Sequence, residues 1–241
     1  QTGGRFTHYY GNTIRYNYYH GIGGTAAANS CCVGIYLDDC LSDQTVYGNI
    51  LSDIIGYGVL IGGGRRNTVT GNLIINTDKG MMYDKRAWDS LWNESSYWYN
   101  DWGSTFLEER TDMIKNQAPW NTEEYRTAFP WLNDLHLDMD KADPDDKDFL
   151  ALPADSVIRD NVMILSSSLQ IQEYEKLSEE EKKTYKYNIN DVSYKYSEIG
   201  EMTYVLNESD HSSLEAVAKL DLPDFIDIPF DKIGRNPKVS D

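Results

Sequence analysis

The amino-acid sequence predicts an all-β fold, a solenoid of the parallel β-helix type, because residues 34–86 repeat two short phrases. The first phrase is a glycine followed by a strand-like run, and it reads GIYLDD, GVLIGG and GMMYDK. The second ends in a Gly-Asn turn and a further apolar run, and it reads QTVYGNIL and NTVTGNLI. A repeat of roughly 20–30 residues built from short strands and Gly/Asn turns is typical of solenoids.

The asparagine of the second phrase recurs along the chain. Asn49 and Asn72 are 23 residues apart, and Asn17 in GNTIRYNYY and Asn161 in SVIRDNVMIL fall in matching phrases. The longer interval between Asn17 and Asn49 predicts a loop over residues 20–30. Asparagines stacked at solenoid turns bond the backbone and one another, so we expect a structural ladder.

The register of the repeat also predicts a pair of acids. Alternate residues of a strand face opposite sides, so Tyr36 and Asp38 point outward, and Asp84 falls in the same column as Asp38 two strands away. We expect Gly62, between them, to leave an open gap. Two strand spacings are about 9–10 Å, close to the upper end of the separation between the acid and the base of inverting glycosidases. Asp39, one place beyond Asp38, is the alternative catalytic member.

Other residues are candidates for binding a ligand beside these acids. Each also has a structural interpretation: a lone histidine is more often structural, the arginines after the glycine turn are by default solvated cations, and tryptophans can form the core of their own lobe. The candidate binding residues are Tyr36, His20, Arg66, Arg86, Trp88 and Trp92.

The pattern breaks after Tyr83 and returns at Ser156, which predicts an insertion. We divide the chain into β-helix repeats (1–87), a helical or loop insertion rich in tryptophan (88–152), and a last repeat with a packing segment (153–241). Capping signals predict helices over 105–116 and from Asn121 to Pro130, and a short helix after Ser178. We expect the apolar and acidic tail to pack back along the solenoid.

Charge and composition exclude several classes of function. The net charge is −17, and residues 1–100 hold 8 acidic against 7 basic residues while residues 101–241 hold 31 against 15. The chain has no basic stripe of the kind that binds nucleic acid, and it has no apolar run long enough to span a membrane. Its acidic balance disfavours a polyanionic glycan as the substrate. The acidic stretch 138–148 lacks the EF-hand pattern and is expected to be a solvated linker. We expect Cys31, Cys32 and Cys40 to be buried thiols, with no metal site.

The phrases NTIRYNYYH, GIYLDD, SDQTVYGNIL, GVLIGGGRRNTVTGNLIIN, YDKRAW, YRTAFPWL and IPFDKIG resemble the C-terminal part of bacterial right-handed parallel β-helix proteins. Glycoside hydrolase family 141, whose members are α-L-fucosidases or xylanases, is among them. The resemblance implies that the catalytic aspartates lie in the LDD element (Asp38 or Asp39) and the YDKR element (Asp84). Relatives more often read D-x-R-G at the second element, where this chain has Ala87.

These observations predict a secreted or periplasmic carbohydrate-active enzyme that hydrolyses glycosidic bonds with a pair of aspartates. Its partners would be an oligo- or polysaccharide and a preceding part of the same β-helix, without an organic cofactor. A polysaccharide lyase using Lys85, Arg86 or Arg66 and a non-catalytic glycan-binding scaffold are the alternatives on the same fold.

Overall fold

A computed structural model describes residues 2–3, 11–23, 32–92, 122–136, 138–165, 172, 175–184, 187–189 and 191–207. Most of these residues form strands in parallel sheets, and few form helices. In chain order the strands are β1 (Thr2–Gly3), β2 (Thr13–Arg15), β3 (Tyr18–Ile22), β4 (Val33–Asp38), β5 (Thr45–Tyr47), β6 (Ile50–Gly62), β7 (Thr68–Thr70), β8 (Leu73–Asp84), β9 (Val157–Arg159), β10 (Val162–Leu165), β11 (Tyr187–Ile189), β12 (Glu198–Ile199) and β13 (Thr203–Leu206).

The strands form two sheets, and every pair of neighbours is parallel. The large sheet has the order β1-β4-β6-β8-β10-β13, with β3 also pairing with β6 and β11 with β8. The small sheet has the order β12-β9-β7-β5-β2. The chain alternates between the sheets, from β5 to β6 to β7 to β8, so each repeat of the sequence lies directly on the one before.

The observed register is the one that the repeat predicts. Ile35 pairs with Val59 and Val59 with Met81, while Leu37 pairs with Ile61 and Ile61 with Tyr83. The side chains of both columns are at most 4% exposed and belong to one apolar core. The alternation of inward and outward residues in the sequence is therefore confirmed in β4, β6 and β8.

The repeated glycine has a steric reason. A Cβ atom on Gly34 would lie 2.7 Å from the carbonyl oxygen of Gly58, and one on Gly58 would lie 2.7 Å from that of Gly80. Such a contact is far shorter than carbon and oxygen tolerate, so a side chain would push neighbouring repeats apart. Glycine is required here because the backbones approach closely.

The predicted asparagine ladder is confirmed. The backbone N–H and the side-chain amide of Asn49 both donate to Oδ1 of Asn72, at 3.0 Å each. Asn72 donates to Asn161 in the same way, at 3.1 and 2.9 Å, and Asn17 donates to Asn49. The ladder satisfies polar groups that are buried at the turns.

The helices are short. They span Arg86–Trp92 (α1), Glu123–Ala128, Glu179–Thr184 and Asp191–Tyr196, with 3₁₀ turns over Pro130–Asp134 and Met139–Lys141. The capping box at Ser178 is confirmed, since its backbone N–H donates to the Glu181 carboxylate and its Oγ accepts from the Glu181 N–H. The predicted helix from Asn121 instead takes Thr122 as its N-cap and ends at Ala128. Pro130 does not simply stop it but opens a 3₁₀ turn, because its fixed φ suits a first helical position.

A second apolar cluster lies beside the main core. Leu132, Phe149, Leu150 and Leu152 form its buried centre, and Trp88 and Trp131 pack against it. Several predictions fall outside the described residues: the helix over 105–116, the part of the insertion over residues 93–121 with Trp98, Trp102 and Trp120, Cys31, and the tail beyond residue 207. The division of the chain at residues 87 and 152 therefore stays a prediction. In the part of the chain that the structure describes, no helix has the length and apolar character needed to cross a bilayer.

Candidate functional site

The two predicted acids lie in one outward column of the large sheet. Asp38 ends β4 and Asp84 ends β8, and Gly62 at the end of β6 pairs directly with Asp84. Leu37, the residue before Asp38, pairs with Ile61, the residue before Gly62, which continues the column to Asp38. The sheet therefore brings together two carboxylates that are far apart in the sequence.

The space over Gly62 is filled, and the prediction of an open gap is wrong. A Cβ atom on Gly62 would lie 2.5 Å from Cζ of Arg86, so the guanidinium lies flat on the glycine. Arg86 opens α1 two residues after Asp84, and this turn directs its side chain back over the strand ends. The gap exists in the backbone, but an arginine from the same chain occupies it.

Arg86 joins the two acids. Its Nη1 donates to Oδ1 of Asp38 at 2.8 Å. Its Nε donates to Oδ1 of Asp84 at 3.0 Å and its Nη2 to Oδ2 at 2.7 Å, a bidentate pair. Burial alone lowers the pKa of Arg86, but the hydrogen bonds and the charge of Asp84 outweigh this effect and raise it. The guanidinium remains charged at every pH of interest.

Tyr36 completes what we call the acid–arginine cluster: Tyr36, Asp38, Asp84 and Arg86. The Tyr36 hydroxyl accepts a hydrogen bond from Nη1 of Arg86 at 2.7 Å, and the Arg86 Cζ lies 5.5 Å from the centre of the ring. Burial, followed by a hydrogen bond with Asp38, raises the pKa of Tyr36 to about 12. The phenol is therefore protonated at neutral pH and can act as a donor.

The cluster is partly buried but reaches the surface. The side chain of Asp38 is 11% exposed, that of Asp84 18% and that of Arg86 13%. With two carboxylates and one guanidinium, the cluster carries one excess negative charge. Such a site can bind a partly positive or neutral polar ligand, and it repels an anion.

Backbone groups also hold the two carboxylates. Oδ1 of Asp38 accepts from the N–H of Asp39 at 2.9 Å, and Oδ1 of Asp84 accepts from the N–H of Arg86 at 3.1 Å. Asp39 itself adopts a left-handed conformation, with φ of 51°, just beyond the end of β4. Of the two residues of the LDD element, Asp38 is therefore the one that contacts Arg86.

Two of the predicted binding residues lie elsewhere. His20 pairs with Ser52, ten positions along β6 from Gly62, and its ring stacks on Tyr18 with centroids 4.5 Å apart. Arg66 donates to Asp43 at 2.8 Å and lies over the ring of Trp131. His20 therefore lies away from the acids along β6, and Arg66 follows the end of β6, so that ligand binding by either residue stays a prediction.

The helix α1 carries two tryptophans, Trp88 and Trp92. Trp88 is half-buried and packs edge-on against Phe149, with ring centroids 5.8 Å apart. This contact supports the interpretation that it belongs to the core of the lobe. Trp92 is the last residue of α1, and its side chain lies outside the described set.

The sequence interpretation missed Arg65. Its default assignment as a solvated turn cation is wrong, since Arg65 is only 2% exposed. It donates to the carbonyl oxygens of Phe149, Leu152 and Lys147 and pairs with Asp155 at 3.3 Å. The neighbouring sequence does not distinguish Arg65 from Arg66, because the groups that bind the Arg65 guanidinium belong to residues more than 80 positions away.

The described residues contain no group of three or more His, Cys, Asp or Glu side chains arranged to hold a metal ion. Cys32 and Cys40 are free thiols; Cys40 is buried, as predicted, whereas Cys32 is only partly buried, so the prediction is wrong for Cys32. In the stretch 138–148, Asp138 pairs with Lys141 and Asp146 with His136. Two acids of that stretch are thus held by neighbouring side chains.

Comparison with known proteins adds one finding. Residues 5–108, less than half of the chain, match the family model described as "NosD: Periplasmic copper-binding protein (NosD)". None of the curated proteins and none of the solved structures compared with the chain matches it. The family is one of parallel β-helix proteins, so the match fits a β-helix protein, in agreement with the parallel sheets.

Proposed function

We propose that this chain forms a parallel β-helix and hydrolyses glycosidic bonds at the acid–arginine cluster. One observation carries the proposal: Asp38 and Asp84 occupy a single outward column and share one guanidinium at a partly exposed surface. A pair of carboxylates on either side of the scissile bond is what glycoside hydrolysis needs.

The charge of the cluster favours this chemistry. Cleavage of a glycosidic bond passes through a transition state with oxocarbenium character, which is partly positive. An excess negative charge held by fixed groups stabilises such a state more than it stabilises the neutral substrate. The same charge repels uronates, so we propose a neutral oligo- or polysaccharide as the substrate.

The contacts of Arg86 are the basis on which we propose a role for each acid. Asp38 has one hydrogen bond to the guanidinium, whereas Asp84 has a bidentate pair, so the Asp38 contact is the one that a substrate displaces more easily. Asp38 then takes up a proton, which makes the cluster neutral, and delivers it to the leaving oxygen, so that the excess negative charge returns as the transition state forms. Asp84, which keeps its arginine, activates the water. The guanidinium has to move off Gly62 to make room for that water.

The neighbouring outward column supplies an apolar surface. Tyr36 pairs with Leu60 and Leu60 with Met82, so these three side chains run parallel to the acids. Tyr36 and Met82 are partly exposed, and sugar rings pack their C–H faces on such surfaces. This column would hold the ring while the acids act on its substituent.

Three other functions compete with the proposed hydrolysis. A non-catalytic glycan-binding scaffold is favoured by the backbone N–H groups of Asp39 and Arg86, which give both aspartates an ordinary turn-capping role. A lyase needs a cation to neutralise a uronate, and Arg86 is already neutralised by two carboxylates. Copper binding, which the family description names, finds no suitable group of ligands among the described residues. The same description supports a periplasmic or extracellular location.

The experiment is a comparison of Asp38→Asn and Asp84→Asn with the parent chain on a panel of neutral oligosaccharides. Each change keeps the shape of the side chain, and we expect kcat/KM to fall by about 10²- to 10⁴-fold. Asp43→Asn is the matched control, because Asp43 also pairs with an arginine but lies away from the cluster. Full turnover in both cluster variants would overturn the proposal.

The products distinguish the alternatives. Binding of an oligosaccharide without any turnover by the parent chain would indicate a scaffold, and an unsaturated product absorbing in the ultraviolet would indicate a lyase. If turnover is found, the anomer released first, followed by NMR, reports inversion or retention.

A further inference from the structure

The strands β2 and β3 lie at one end of their sheets. Among the described residues β2 pairs only with β5, and β3 pairs only with β6, so each has a partner on one side. The opposite side of each strand presents backbone N–H and C=O groups in the geometry that a parallel strand binds.

The exposure of the core columns changes at this end. Val46 and Val69, in successive strands of the small sheet, are 0% exposed, whereas Ile14 in the same column is only partly buried. Likewise Leu51 is fully buried and Tyr19, beside it on β3, is only partly buried. Among the described residues, the apolar columns thus run up to this edge and end there without a further strand over them.

The asparagine ladder also ends at this edge, at Asn17. Each of Asn49, Asn72 and Asn161 accepts two hydrogen bonds on Oδ1, from the backbone N–H and the side-chain amide of the preceding asparagine. No donor among the described residues reaches Oδ1 of Asn17. The periodicity places the two absent donors on an asparagine one repeat earlier.

The layer beyond this edge is already begun by the chain itself. β1 pairs with β4 on the side away from β6, with Thr2 opposite Leu37 and Gly3 opposite Asp38. β1 therefore belongs to the layer that would also hold a strand over β2 and a strand over β3. Within the described residues, β1 is the only member of that layer.

We propose that this edge binds a further repeat of the same polypeptide, one that leads into β1. The repeat would place a short strand over β2, an asparagine over Asn17 and a longer strand over β3. It would complete the layer in which Gly3 lies beside Asp38, so it would also form one wall of the acid–arginine cluster. The proposal rests on the edge and the ladder, and it holds whether or not the cluster is catalytic.

The register specifies a graft that tests the proposal. Thr2 pairs with Leu37, and Leu37 pairs with Ile61. Thr2 is therefore the residue of its repeat that corresponds to Ile61, and the residue before Gln1 would correspond to Val59. A copy of residues 44–59 fused directly ahead of Gln1 would then supply a strand over β2, an asparagine over Asn17 and a strand over β3. The full 241-residue chain is retained in this fusion.

The readout is hydrogen exchange of the β2 and β3 amides in the chain with and without the graft. We expect the graft to slow their exchange at least about tenfold, since each edge amide and the Asn17 acceptor gain a partner. Asn49→Ala in the copied segment should lose part of this protection, and a scrambled graft of the same composition should give none.

Two results would overturn the proposal. One is equal exchange with the true and the scrambled graft, which would mean that the edge has no preference for a repeat. The other is protection of β2 and β3 in the ungrafted chain that rises with protein concentration together with dimer formation in sedimentation. That result would assign the edge to a second copy of this chain.

Discussion

Two arginines of this molecule are held in opposite ways. Arg65 is 2% exposed and its guanidinium donates mainly to backbone carbonyl oxygens of residues 147–152. Arg86 lies near the surface and its guanidinium donates to the carboxylates of Asp38 and Asp84. Arg65 joins one segment of the chain to another, while Arg86 joins two acids of one column.

The difference separates a structural site from a chemical one. Carbonyl oxygens neither gain nor lose protons near neutral pH. The contacts of Arg65 with them can therefore only hold residues 147–152 against the β-strand repeats. Burial lowers the pKa of Arg65, whereas the surrounding charges raise that of Arg86. A cluster of ionised groups at the surface can exchange partners with a ligand, and the cage of Arg65 has no room to do so.

The largest effect is expected from removing Arg65. Arg65→Met should lower the free energy of unfolding by about 3–5 kcal/mol, because three carbonyl oxygens, two of them in buried hydrogen bonds, lose their donors. Urea unfolding at pH 7 measures the change. Arg65→Lys keeps the charge but lacks the several N–H donors of the guanidinium, so its free energy of unfolding should lie between those of the parent chain and Arg65→Met. A loss below that of Arg66→Ala would show that the cage contributes little.

A smaller effect is expected at the surface cluster. Arg86→Ala should cost about 2–3 kcal/mol at pH 7, since two partly buried carboxylates are left facing each other. Because protonation relieves that repulsion, the deficit relative to the parent chain should shrink as the pH is lowered toward 4. The double variant Arg86→Ala with Asp38→Asn should recover part of the loss. A deficit that does not change with pH would contradict the ion-pair account.

The thiol beneath the cluster offers a pH test. Burial raises the pKa of Cys40 to about 12, from its ordinary value of 9.0. A raised pKa stabilises the fold below the unfolded value and loses that contribution as the pH rises toward the folded value. The free energy of unfolding should therefore fall above pH 9, with Cys40 accounting for about 2 kcal/mol at pH 11.

Cys40→Ala isolates this contribution. The variant should lose less stability between pH 9 and pH 11 than the parent chain does, whatever its stability at neutral pH. Chemical unfolding at the two pH values gives both slopes. Identical slopes would place the alkaline loss on other groups, such as Tyr36.

The smallest effect is expected at Arg66, the neighbour of Arg65 in the sequence. Its side chain is 40% exposed and its ion pair with Asp43 is of the surface type. Arg66→Ala should change the free energy of unfolding by at most about 1 kcal/mol. Added salt should weaken the contribution further. A cost equal to that of Arg65→Met would remove the distinction between the two neighbours.

Much of the fold could be predicted because it depends on patterns of residues that are close together in the sequence. The alternation in GIYLDD, GVLIGG and GMMYDK fixes which side chains of β4, β6 and β8 face the core, and the spacing of Asn49 and Asn72 fixes the register. The column of Asp38 and Asp84 follows from that register alone. A one-residue error would have turned both acids inward.

The occupant of the site could not be predicted in the same way. Arg86 lies over Gly62 because α1 begins where it does and because no side chain at residue 62 opposes it. Whether the arginine after Asp84 points to solvent or across the sheet depends on the balance between hydration and two carboxylates that only the fold brings together.

The sequence by itself thus determined the parallel strands, the inward columns, the asparagine ladder and the shared column of Asp38 and Asp84, because each depends on periodicity within a repeat. The tertiary structure alone decided that Arg86 bridges those acids, that Arg65 is buried while Arg66 is not, and that His20 lies far from the cluster. Those outcomes depend on contacts between residues distant in the chain, whose energies no local pattern records.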